Sequence, residues 1–365
     1  MKSTSVISII VCLFLISNLC LAGSLQPSAP PAPTMKTLDQ VEPRIPIALS
    51  PPNTYTITSP GSYYLQTNRI LLSDSSAIII DSNDVTIDLM GYTVRGNATT
   101  FHIIGTGIYI NSGHKNIEIR NGTISNFGTS GIVTGDASCS NIRIINVTCM
   151  SNVGLGIKLW GKCNRIENCL IENNTQGGIE AGENAVIRNC IVRENGGTGI
   201  TVFSYSTVSG CSSYDNNVTG IFASGAGCLI ADNTCHENNI FGIIANSTAT
   251  ITGNNCRNSS CGIEAGGLIK NNLVSGCTTS FGIHAYSGSA VINNTVQSCL
   301  GNGFKIDSSC SVIGNTAYNN GSAGPNCYGF EIAENCLVDQ NLSYGNHTNM
   351  NTLVNCTVPS GNHMP

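Results

Sequence analysis

Charge is scarce in this chain. Lys and Arg number 16 and Asp and Glu 21 among 365 residues, so 10% of the sequence is charged and the formal net charge is −5. Such a balance offers no basic stripe for a nucleic-acid backbone, which excludes that class of partner. Aromatics are few, at 6%, with a single tryptophan, Trp160. After residue 22 no run approaches eighteen apolar residues, so no membrane span is expected there. No C-x-x-C or H-x-x-x-H spacing occurs, which argues against a zinc site, and the metal assignment is none. No ten-residue stretch combines a helical period with a cap, so helix content should be minimal.

What is abundant is glycine, 40 residues, with hydrophobics at 41%. Low charge with low apolar content would mean disorder, but this apolar fraction supports a core. The glycines are ordered. Gly-Ile stands at 107–108, 131–132, 156–157, 178–179, 199–200, 220–221, 242–243, 262–263 and 282–283, followed by Gly-Phe at 303–304 and 329–330. Successive copies lie 20 to 26 residues apart, which is the signature of a repeat architecture.

Each unit opens with a short strand such as 156–160 (GIKLW) or 282–286 (GIHAY). A turn and a second strand follow, such as 165–169 (RIENC) or 186–190 (VIRNC), then a third short segment and a Gly- or Asn-rich turn. Short strands without intervening helices cannot build a doubly wound sheet. They can close a coil in which each strand pairs in parallel with its counterpart one turn away. The expected fold is therefore all-β, a single-stranded right-handed parallel β-helix of about 12–13 coils of ~21 residues, rising about 4.8 Å per rung. Left-handed hexapeptide coils would be shorter.

Residues 1–22 read as a signal peptide, with Lys2, an apolar run from Val6 to Leu21, and Ala22 at the cleavage point. A Pro-rich flexible linker follows at 23–37, an N-terminal cap segment at 38–60, the β-helix at 61–357 and a C-terminal tail at 358–365. The first strands are expected at 61–65, 77–80 and 85–89. A secreted, periplasmic or cell-surface location follows from the signal, and a monomer is expected. Sixteen cysteines lie beyond the signal. Cys169, Cys190 and Cys211, then Cys235, Cys256, Cys277 and Cys299, keep the coil spacing, so they read chiefly as buried reduced ladders, with disulfides between rungs as the alternative. An asparagine column is expected through Asn146, Asn168, Asn189, Asn233, Asn254, Asn272, Asn294 and Asn315, with Gly210 as a gap. N-x-S/T triplets at Asn97, Asn121, Asn146 and Asn173 read mostly as accidents of that ladder rather than glycosylation sites.

The repeat resembles the right-handed parallel β-helix proteins of the pectate-lyase-like superfamily, exported bacterial members in particular. Residues 78–96 (IIIDSNDVTIDLMGYTVRG) look like their first coils, and the resemblance runs from Gly61 to about Thr357. It implies a polysaccharide or glycan partner along the Gly-Ile face. The catalytic elements of polygalacturonases, of D-P-H-E epimerases and of pectate lyases are absent, and fold alone does not assign a reaction.

Alternation along the Gly-Ile strands places two columns outward. The first runs Tyr109, Val133, Lys158, Glu180, Thr201, Phe222, Ile244, Glu264, His284, Lys305, Glu331. The second runs Asn111, Gly135, Trp160, Gly182, Phe203, Ser224, Asn246, Gly266, Tyr286, Asp307, Ala333. Candidate substrate-binding residues are Trp160, Phe203, Tyr286, Lys158, Glu180 and Glu264, since aromatic rings flanked by polar groups suit sugar faces. Candidate catalytic residues are Asp307, Glu331, His284 and Lys305. Asp307 and Glu331, about 8 Å apart between Cα atoms by strand geometry, fall in the range of an inverting carboxylate pair. Alternatively, Lys305 could neutralise a uronate while His284 or Tyr286 takes a proton. The ordinary reading of Glu264–His284 and Lys305–Glu331 is cross-strand pairing on a solvated face. No cofactor is required. Calcium is the one ion the composition suggests, at Asp81, Asp84 and Asp88, which otherwise read as turn formers. The extra residues between Gly303 and Gly329 predict a loop beside the polar cluster. Function reads as binding or processing of extracellular polysaccharide, with a structural or adhesion protein as the alternative.

Overall fold

The computed structural model describes residues 44–47, 54–71, 75–97, 105–324, 327–352 and 355–363. The chain divides into two units, Met1–Arg44 and Ile45–Pro365. The signal segment, the Pro-rich linker and most of the expected cap lie outside the described residues. The second unit is a parallel β-solenoid, and no helix occurs among its described residues.

One coil shows the pattern. Leu155–Leu159 forms face one, Arg165–Glu167 face two and Leu170–Glu172 face three. All face-one strands, from Tyr55–Ile57 to Thr348–Thr352, pair in parallel in one 14-stranded sheet. Faces two and three share the other sheet, of 25 strands, because only a short bend separates them. In Lys115–Ser125 and Ser140–Met150 the strand runs straight through that bend.

Register puts equivalent residues opposite one another. Ile108, Ile132, Ile157, Ile179, Ile200, Ile221, Ile243, Ile263, Ile283, Phe304 and Phe330 form a single buried column. At its end Phe304 and Phe330 stack with centroids 4.6 Å apart. Burial of each such side chain contributes roughly 1.5–3 kcal/mol. The preceding glycine is required by space. A Cβ at Gly178 would collide with the Gly199 carbonyl of the next coil and with Val192 on face three.

The asparagine column is really two columns, offset by one residue at the same bend. Asn146, Asn168 and Asn189 sit on the outside with positive φ, and their column continues through Gly210, Asp232, Gly253, Asn271, Asn293, Gly314 and Gln340. Left-handed backbone there suits Asn and Gly. The next residue points inward: Cys169, Cys190, Cys211, then Asn233, Asn254, Asn272, Asn294, Asn315 and Asn341. From Asn254 onward each inner Asn Oδ1 accepts both the backbone N–H and the side-chain amide of the coil before it, as Asn254 does from Asn233 at 3.0 Å each, while Asn233 accepts only the Cys211 N–H. Each Nδ2 also donates to a backbone carbonyl, as Asn254 does to Ile230 at 2.9 Å. These buried amides are therefore fully paired, the condition for placing them in a core. A second ladder, through Asn152, Asn174, Asn195, Asn216 and Asn238, lines the bend after face three.

The cysteines likewise do not share a column. Cys169, Cys190 and Cys211 lie in the first ladder. Cys235 faces Cys256 within face three, and Cys256 faces Val274. Cys277 and Cys299 belong to the second ladder, where Cys299 donates its N–H to Asn320. The 21-residue interval from Cys256 to Cys277 crosses a coil of only 18 residues, which shifts the frame. All sixteen described thiols are free in the structure, and thirteen are buried. Burial pushes the Cys310 thiol up to about 11.

The solenoid also extends beyond its expected limits. Ile45–Pro46 pairs with Gly61–Tyr64, and Tyr55–Ile57 pairs with Ile78–Ile80, so strands precede Gly61 inside the expected cap. At the other end Thr357 and His363 bridge to Leu337 and Leu342, and Asn362 accepts from Asn341, so residues 358–363 continue the coil rather than forming a tail.

Two outcomes follow. Replacing Asn254 by Leu strands the Asn233 donors and the Ile230 carbonyl and should cost about 3 kcal/mol or more, read as a lowered urea midpoint. Asn271→Gly, in a column that already tolerates Gly253 and Gly314, should stay within about 0.5 kcal/mol. Equal losses would contradict the two-column assignment. In the folded protein a thiol reagent should label the exposed Cys163 first, Cys327 and Cys356 more slowly, and the buried ladders only after denaturation. Labelling of Cys190 as fast as Cys163 would refute the buried ladder.

Candidate functional site

Face one carries both outward columns in the expected order. Toward the later coils, Glu264 faces His284, His284 faces Lys305 and Lys305 faces Glu331 on adjacent strands. Side chains then reach across rungs. The Tyr286 hydroxyl donates to Glu264 Oε1 at 2.8 Å. His284 Nδ1 lies 3.7 Å from the same oxygen, and its Nε2 lies 3.1 Å from Asp307 Oδ1. Phe281 and Tyr286 meet the imidazole edge-on, at 5.2 and 5.4 Å between centroids. His284 is thus clamped, its side chain 14% exposed. Glu331 Oε2 accepts from Asn302 Nδ2 at 2.6 Å, and Asn302 Oδ1 accepts from the Tyr328 backbone N–H at 2.7 Å. Lys305, Asp307, Glu331 and Asn351 line a cavity of about 120 Å³ floored by Ile306 and Ile332.

Burial, and then the Glu264 carboxylate, raise the Tyr286 phenol well above its ordinary value. Burial and the neighbouring carboxylate both favour the protonated phenol, the form that donates to Glu264. Of the two ring nitrogens of His284, Nε2 is within hydrogen-bond distance of a carboxylate, and Nδ1 faces the second carboxylate at longer range. Glu264 and Asp307, two rungs apart, are bridged by this ring. Lys305 is exposed and forms no ion pair among the described residues, although it stands opposite Glu331.

The earlier coils hold an aromatic opening. Trp160 is 46% exposed and Phe203 36% exposed. Both line a cavity of about 390 Å³ with Ala137, Lys162, Glu183 and Ser204. Lys158 Nζ sits 4.2 Å from the centroid of the Trp160 ring and 3.8 Å from Glu180 Oε1, so these two candidates brace the indole from the adjacent column. Between the two openings, Phe222, Ser224, Ile244, Asn246 and Tyr286 line a third cavity of about 340 Å³.

The expected residues therefore fall into two groups. Trp160, Phe203, Lys158 and Glu180 meet at one end, and Glu264, His284, Tyr286, Lys305, Asp307 and Glu331 at the other. Asn302, Phe281 and Asn351 escaped the sequence reading. The first two occupy the position before Gly-Ile or Gly-Phe, so extending the columns backward by one residue would have found them. Asp81, Asp84 and Asp88 do not share a site. Asp81 accepts from Asn111 at 2.8 Å and lies 3.0 Å from His114, Asp84 accepts from Asn116 at 2.7 Å, and Asp88 pairs with Arg120 at 3.1 Å. Among the described residues no helix is long and apolar enough to cross a membrane.

Residues 137–267 match the family model described as a right handed beta helix region. The solenoid is a right-handed parallel β-helix. No curated protein sequence matches the chain significantly. Solved structures also align with it over most of its length. The A-module of the Azotobacter vinelandii mannuronan C-5 epimerase AlgE6 is 14% identical, with 88% of this chain and 87% of that chain covered and a TM-score of 0.48. The catalytic domain of a GH87 α-1,3-glucanase is 14% identical over 92% and 70%, with a TM-score of 0.43. Pectate lyase Pel9A is 13% identical over 88% and 68%, with a TM-score of 0.31.

Proposed function

We propose that this β-helix binds or processes an extracellular polysaccharide along face one, as an exported protein at the cell surface, in the periplasm or in the medium. The observation that carries the reading is the interlocked cluster of Glu264, Tyr286, His284 and Asp307 beside the cavity that holds Lys305 and Glu331. In a chain with 10% charged residues, six ionisable side chains on four consecutive rungs concentrate proton-transfer and anion-binding groups in one place. Lys305 suits the carboxylate of a uronate unit. Asp307, held by His284, and Glu331, held by Asn302, are the carboxylates placed to move protons at that unit.

A panel of polyuronates and neutral glucans, screened for retention and for unsaturated or reducing-end products, tests this. Retention of a polyuronate is expected, and Lys305→Met should weaken it about tenfold while leaving neutral glycans unaffected. If products form, Asp307→Asn should reduce their rate by about 100-fold or more while the variant still binds. Failure to retain any glycan would remove the reading and leave the structural or adhesion alternative.

A further inference from the structure

The opening at Trp160 lies too far along face one to serve the same sugar unit as the polar cluster. In the second outward column, Phe203 stands five rungs before Asp307, which is about 24 Å at the rung spacing, and Trp160 stands two rungs further away. Between Trp160 and Phe203 the column holds Gly182, with no side chain to fill the interval. No larger residue fits there, since a Cβ on Gly182 would run into the backbone of Trp160 and Gly161. The result is a slot between two exposed aromatic side chains whose attachment points are about 10 Å apart. Both side chains border the cavity of about 390 Å³ at this place. Lys158 Nζ covers one face of the indole, 4.2 Å from its centroid, which leaves the opposite face and the edge of the ring for a ligand. Lys162 and Glu183 at its edge supply a donor and an acceptor for ring hydroxyls.

We infer that the Trp160–Gly182–Phe203 slot is a remote anchoring subsite that holds one sugar unit of a linear polysaccharide against its aromatic side chains while another unit of the same chain occupies the Lys305–Asp307 cavity. The inference rests on the proposed glycan-binding reading and adds to it that the ligand is an unbranched polymer running parallel to the solenoid axis. The cavity of about 340 Å³ at Phe222, Ile244 and Tyr286 lies on that path. Linking two weak sites through one chain raises affinity only when the chain spans both, so length decides binding.

The experiment uses the full-length protein with size-fractionated polyuronate and size-fractionated neutral glucan, read by calorimetry. Affinity should rise by about tenfold or more once the oligomer exceeds the ~24 Å between the sites, and should plateau beyond the span to Trp160. Trp160→Ala and Phe203→Ala should each abolish that step, leaving short oligomers bound as in the parent protein. Tyr344→Ala, an exposed aromatic on face three, controls for general loss of aromatic surface and should leave the length profile intact. A length-dependent step that survives both slot variants overturns the anchoring subsite while the glycan-binding reading stands. Binding of neither polymer at any length overturns both.

Discussion

Every residue of a coil meets its own counterpart in the next coil, one β-spacing away, through parallel backbone hydrogen bonds. That translation is the constraint from which the rest follows. A side chain must be compatible with copies of itself above and below, so the interior sorts into columns of Ile, small residues, Asn and Cys. Apolar columns satisfy the condition by dispersion and burial alone. Polar ones satisfy it only if each group both donates and accepts along the axis. The asparagine amide does so, with Oδ1 taking two donors from one side while Nδ2 serves the other. Thiols fit the same ladders because they are small and tolerate an apolar setting, which explains why Cys211 gives way to Asn233 in one column and Cys277, Cys299 and Asn320 follow one another in the other.

The same translation shapes the outer surface. A uniform outward column would give a featureless wall. Face one departs from uniformity in two places. At one, Gly182 interrupts a pair of aromatics and leaves a cavity. At the other, four ionisable residues follow one another along the column: Glu264, His284, Lys305, Glu331. Diagonal reach then ties the second column to the first, through Tyr286 to Glu264 and Asp307 to His284. The low charge of the chain as a whole makes this cluster stand out as a place where ionisable groups are kept together, and such groupings are more common at functional sites than elsewhere.

The repeat interval and the alternation within each Gly-Ile strand were sufficient to derive the fold class, the buried isoleucine column and both outward columns, because strand pleat and rung stacking are local rules that translate without loss from coil to coil. Bends are less regular, and there the linear reading failed. One 18-residue coil between Asn254 and Asn272 moved Cys277 into a different column from Cys256, and a one-residue offset separated Asn189 from Asn233 although both follow the same period. Those positions depend on which residue of a corner adopts positive φ, a choice made by packing against the neighbouring coil.

Sequence alone also assigned the face-one residues to their columns, since membership of a column is a matter of counting. What it could not assign is their partnerships. Whether His284 is free or clamped, whether Glu331 answers Lys305 or Asn302, and which carboxylate Tyr286 donates to all depend on side-chain direction and burial across three or four rungs. Those are settled only when coils distant in sequence are stacked at a fixed spacing, and so they belong to the tertiary structure.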